Sequence, residues 1–153
     1  MEYEQIKERL LQIEKIINEN SPDTQIVWDA SKEFDEIVFA NITIREFAFI
    51  IEHVEPELNN DKVAQMVVAA AEGRPLTDVI QLSAGAEAAY KISHLRKAQK
   101  ISQVELAKEI GVTQGTVAKI ENVQIPLTVD VLQRIMTVLG EAFTIKPLQN
   151  NLA

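Results

Sequence analysis

The sequence predicts a mainly α-helical chain in two parts: a small α+β N-terminal domain over residues 1–78, then a helical bundle over residues 84–146. Three observations lead there. Apolar residues recur every three to four positions along most of the chain, the repeat of an amphipathic helix. From residue 86 onward, four such patterns follow one another with spacers of only a few residues, which forces a compact bundle. In the N-terminal part, two runs rich in β-prone residues, Gln25–Trp28 and Glu36–Ile42, interrupt the helical repeat and predict a hairpin joined by the polar stretch Ser31–Asp35.

Taken in order, residues 4–18 place Ile6, Leu10, Ile13 and Ile17 on one helical face, and Asn20-Ser21-Pro22-Asp23 ends the helix. After the hairpin, Thr43 and Glu46 have capping-box spacing. Ile44, Phe47, Ile50, Ile51 and Val54 then keep helical register until Pro56. Asn60 is placed to cap a helix over Asp61–Glu72, which stops at Gly73-Arg74-Pro75. Trp28, Phe34, Phe39, Phe47 and Phe49 read as core. His53, beside Glu52, Glu55 and Glu57, reads as the end of an apolar helix among solvated acids, not as a metal site. The turn-rich stretch Pro75–Gly85 is the expected joint. The bundle patterns cover Ala86–Gln99, Gln103–Ile110, Gln114–Asn122 and Val129–Leu139, and the apolar run Ala142–Ile145 has the makings of a short strand.

Composition bounds the function classes. With 153 residues, 46% of them hydrophobic, and five Gly and five Pro, the chain can bury a core. The absence of cysteine excludes disulfides and thiolate metal sites and fits a reducing cytoplasm. No apolar run nears the roughly 20 residues that span a bilayer. The charged start MEYEQIKERLLQIEK lacks the apolar stretch of a signal peptide, so a cytoplasmic chain with no membrane partner is expected. The net charge of −8 is unevenly spread. Residues 1–86 carry 7 basic and 17 acidic side chains, whereas residues 87–153 carry 8 and 6. Only the second part could face a polyanion.

That part contains Q-V-E-L-A-K-E-I-G-V-T-Q-G-T-V-A-K-I-E-N, residues 103–122. Ser102 and Thr113 are placed to cap two short helices, with Glu105 completing a capping box at the first. Ala107 is small enough for the helices to cross closely. Gly111 stands where the chain turns sharply and where positive φ is often needed. Leu106, Ile110, Val117 and Ile120 supply the apolar contacts that lock the angle. This is the pattern of a helix-turn-helix. No nucleophile–base pair, glycine-rich phosphate loop or zinc-binding helix accompanies it, so no catalytic, cofactor or metal site is expected.

Over Ile92–Ile145 the chain resembles the Cro/C1-type (Xre-family) helix-turn-helix regulators, through L-R-K-A-Q-K-I-S, the residues just quoted, L-T-V-D-V-L-Q-R-I and V-L-G. The resemblance implies a lambda-repressor-like bundle and a cytoplasmic, repressor-like transcription regulator that binds double-stranded operator DNA as a homodimer. It implies that the second helix of the pair enters the major groove. Gln114 matches a base-reading glutamine, suited to adenine. Thr116 and Lys119 share its exposed face, while Gln103 and Asn122 match phosphate-contacting positions. Thr113 caps the same helix end. Arg96 and Glu121 match an interior ion pair found in some relatives. Two departures stand out. Gly115 replaces a usually polar groove residue, and Val123 replaces a usual glycine, which make the chain an atypical reader. A groove helix with one possible glutamine contact, Gln114, and one lysine, Lys119, predicts modest sequence specificity. The acidic N-terminal part is expected to bind a partner or dimerise. The resemblance extends to antitoxins of toxin–antitoxin pairs, for which a basic toxin would be that partner. The alternative is a protein-interaction module whose bundle no longer binds DNA.

Overall fold

Eight α-helices and one 3-10 turn form the regular structure of the described residues, 1–19 and 21–142, in the computed structural model. By contacts the chain separates into two compact units, Met1–Glu87 and the residues from Ala88 onward.

In the first unit, α1 (Tyr3–Asn18) packs on α2 (Thr24–Val38) and on α4 (Asn60–Ala71). Of the expected α1 stripe, Ile6, Leu10 and Ile13 are buried, whereas Ile17 in the last turn is 39% exposed. α2 buries Ala30, Ile37 and Val38, and α4 buries Val63, Ala64, Met66, Val67 and Ala69. α3 (Ile44–His53) buries Ile50, and its Thr43 cap accepts from the Glu46 N–H at 3.1 Å. Asn59, not Asn60, caps α4, accepting from the Lys62 N–H at 2.9 Å. The stretch after α4 is not a bare joint: the 3-10 turn Leu76–Asp78 buries Leu76, and Ile80 and Leu82 are also buried.

The expected hairpin, and with it the α+β character of this unit, is not found. Residues 25–28 and 36–38 belong to one helix, α2, and no strand occurs among the described residues. A single antiparallel bridge, Val54 to Leu82, is the nearest approach to one. Two physical causes decide it. The Asp23 carboxylate accepts from the N–H groups of Gln25 and Ile26 at 3.0 and 3.4 Å and starts the helix. Ala30, Phe34, Ile37 and Val38 then form one helical stripe. Burying that stripe outweighs the weak strand preference of the β-branched residues. Ser31, expected in a turn, donates instead to the Val27 carbonyl one turn back at 2.9 Å.

Trp28 is a second correction. It lies on the opposite face of α2 from Ala30 and is 68% exposed, so it is not core. Phe34, Phe39, Phe47 and Phe49 are half-buried; Phe39 meets Phe47 edge-on at 5.5 Å, and Phe49 lies against His53 at 4.6 Å. Ile44 and Ile51 of α3 are exposed, at 73% and 56%.

The helices α5 (Ala84–Ala98), α6 (Gln103–Ile110), α7 (Gln114–Glu121) and α8 (Val129–Val138) follow closely the sequence-predicted bounds. The unit boundary falls within α5. Ile92, Leu106, Ala107, Ile110, Val117, Ile120, Ile135 and Leu139 form the core of the second unit. Of the run Ala142–Ile145, read as a possible strand, Ala142 is exposed and residues 143–145 lie outside the described residues. No helix among the described residues is long and apolar enough to cross a membrane.

Candidate functional site

The site is built on the α6–α7 pair. Ser102 starts α6, its hydroxyl accepting from the Glu105 N–H at 3.0 Å, the forward half of the expected capping box. Gly111 ends the helix at φ 76°, a left-handed conformation that costs a side-chain-bearing residue about 1–2 kcal/mol. Thr113 then starts α7 by accepting from the Thr116 N–H at 3.2 Å, and the two hydroxyls meet at 2.9 Å. With Ala107 buried at the crossing and Val117 and Ile120 packed beneath α7, the second helix is held by its apolar side and presents the other.

A chain of polar contacts runs from the interior to that presented face. Arg96 and Glu121, each 7% exposed, are the buried charged side chains among the described residues. They pair through two hydrogen bonds: Arg96 Nε to Glu121 Oε1 at 2.6 Å and Nη2 to Oε2 at 3.0 Å. Arg96 Nη1 also donates to the Ile101 carbonyl at 2.8 Å, so the guanidinium fastens the end of α5 to the end of α7. From there Gln103 Nε2 donates to Glu121 Oε2 at 2.8 Å, and Gln114 Nε2 donates to Gln103 Oε1 at 2.8 Å. Half-buried Gln103 and exposed Gln114 are thereby tied to a buried ion pair.

The sequence-derived site residues thus fall into three sets. Gln103 and Gln114 are joined to each other and, through Glu121, to Arg96. Thr113 and Thr116 bond to one another at the start of α7. Lys119 and Asn122 stand at the other end of the helix, exposed, with the Asn122 amide donating back to the Ala118 carbonyl at 2.9 Å. The glutamine relay is what the sequence reading missed. Its signal was present as two glutamines at the first positions of consecutive short helices, but contact between them depends on the crossing angle.

The chain leaves α7 through a Schellman motif: Val123 N–H donates to Ile120 O at 3.1 Å and Gln124 N–H to Lys119 O at 2.8 Å. The residue in the left-handed position is Val123, at φ 58°. A β-branched side chain there is strained. The apolar character of Val123-Gln124-Ile125-Pro126 has a structural cause, since Ile125 and Leu127 pack against the core. Lys97, Lys100 and Lys108 are exposed around the same unit, and His94 stacks on Tyr90 at 5.9 Å. Among the described residues no group of His, Cys, Asp or Glu could hold a metal ion.

Residues 92–145 match the helix-turn-helix family model, a segment that is about a third of the chain. No curated protein and no solved structure matches the chain.

Proposed function

We propose that the protein is a sequence-specific, double-stranded-DNA-binding transcription regulator of repressor type, with α7 as the helix that reads the major groove. The observation that carries this reading is the orientation of Gln114. One N–H of its amide is committed to Gln103. The other N–H and Oε1 remain as an adjacent donor and acceptor, the pair that matches N7 and N6 of adenine. Lys119, Thr116, Asn122 and the start of α6 at Gln103 surround it as candidate contacts to phosphates and base edges. The family match over residues 92–145 supports the same assignment.

A single unit of this size reads few base pairs, so the active form in this reading is a homodimer on two half-sites about one helical turn apart. The first unit, net acidic, would be repelled by DNA and is available to a protein partner. Its exposed Trp28, Ile44 and Ile51 favour that role. A basic toxin is the partner in the sharpest form of the proposal, which makes the chain an antitoxin that represses its own operon. The protein acts by binding and not by catalysis.

The test is binding of the full chain to the duplex upstream of its own coding sequence, beside Gln114→Ala and Lys119→Ala. Both variants should keep the fold and bind several-fold more weakly, with Gln114→Ala relaxing discrimination between sequences. Wild-type protein that binds no duplex would leave the second unit as a protein-interaction module.

A further inference from the structure

Gly115 is the second residue of α7 and is exposed. Three of the chain's five glycines, Gly73, Gly111 and Gly140, have positive φ and stand at helix ends, where the backbone requires them. Gly115 has no such reason to be glycine: its φ is not positive. A Cβ built on it would meet Thr113 Oγ1 at 3.9 Å and nothing nearer, an ordinary contact. Neither conformation nor packing asks for glycine here, and glycine weakens a helix relative to alanine. The remaining physical use of a missing side chain is to let another molecule come close to the backbone.

The position says which molecule. Gly115 follows Gln114, an exposed residue whose amide is tied to Gln103, and precedes Thr116 at the start of α7. A reading helix meets base edges with its N-terminal residues. We propose that Gly115 is the point of closest approach between α7 and the floor of the major groove, and that its bare Cα is a determinant of specificity. This rests on the DNA-binding reading above. Without a side chain at Gly115 the helix sits deep enough for the short reach of Gln114 to meet its base. A methyl group there holds the helix away and weakens contacts that Gln114 and Thr116 make, while phosphate contacts by exposed lysines are largely kept.

The experiment uses the full-length chain, with the duplex that wild type enriches from a randomised library and an unrelated duplex of equal length. Gly115→Ala should raise the melting temperature by on the order of a few degrees. It should weaken binding to the enriched duplex by roughly tenfold or more and change binding to the unrelated duplex little. Gly85→Ala is the control: this other helical glycine also has open space at its Cβ, so the substitution should stabilise without touching affinity. Equal or tighter binding by Gly115→Ala would overturn the proposal, as would a fall shared equally by both duplexes. A lowered melting temperature would show that the fold itself needs this glycine, and would overturn it too. If wild type enriches nothing, the DNA-binding reading falls and takes the proposal with it. If wild type binds and Gly115→Ala matches it, the proposal alone falls.

Discussion

The two units bury similar apolar side chains but treat charge in opposite ways. In the first unit the ion pairs stand at the surface: Arg9 with Glu33 at 2.5 and 2.6 Å, Lys7 with Asp61 at 3.0 Å, Arg74 with Glu72 at 2.7 Å. In the second, Arg96 and Glu121 are taken out of water and aligned. Surface pairs are screened and contribute little to stability. A buried pair gains little over an apolar replacement, yet it is costly to break and it fixes geometry. The difference teaches what each unit needs: the first needs a helical core and a solvated acidic surface, the second a defined crossing of α6 on α7 with two glutamines held in place.

The largest expected effect attacks that difference directly. Glu121→Ala leaves Arg96 buried with only the Ile101 carbonyl, and should cost about 3–5 kcal/mol in urea unfolding of the full chain. Replacing both partners, Arg96→Met with Glu121→Leu, should recover most of that stability. DNA discrimination should not recover, because Gln103 has lost its acceptor. A double variant that reads DNA as well as wild type would break the link between ion pair and site.

Next come two of the left-handed helix ends of the second unit, Gly111 and Val123. Gly111→Val should destabilise by about 1–2 kcal/mol. Val123→Gly should do the reverse, stabilising by roughly 0.5–1 kcal/mol, since relief of strain exceeds the added chain entropy. Both are read from denaturation midpoints. A destabilising Val123→Gly would mean that packing by the half-buried valine outweighs its backbone strain.

In the first unit, Trp28→Gln should change stability by no more than about 0.5 kcal/mol, as for other exposed positions. Trp28 is the chain's one tryptophan, so native fluorescence reports it alone and should show the red-shifted emission of a solvated indole. Blue-shifted emission would restore the reading of Trp28 as core.

The smallest effect is that of acid. The Arg9 guanidinium holds the Glu33 carboxyl below its ordinary range. Hydrogen bonds from Tyr3 and then Lys7 do the same for Asp61. Each lowered carboxyl contributes stability that is fully present above its unfolded-state pKa and lost as pH falls through the folded-state value. Acidification through and below the ordinary carboxylate range should therefore weaken the first unit slightly. Arg9→Ala should remove part of that pH dependence.

What is legible in the sequence follows from the same contrast. The bounds of α6 and α7 could be read because Ser102, Gly111 and Thr113 each do a local job that few residues do, with Ala107, Val117 and Ile120 at the fixed spacings of the crossing. α2 could not be read: Ile26, Val27, Ile37 and Val38 suit a strand or a helix, and burial of the stripe that holds Ala30, Ile37 and Val38 as α2 packs on α1 decides, while Ile26 stays exposed. The Gln103–Gln114 bond was hidden for a different reason, being set by the angle between two helices and not by spacing within either.

The central claim is tested most directly by the salt dependence of binding to the upstream duplex. The account predicts specific binding whose logarithmic affinity falls linearly with the logarithm of salt, with a slope corresponding to several released counterions. Absence of binding at low salt, or an affinity indifferent to salt, would contradict it.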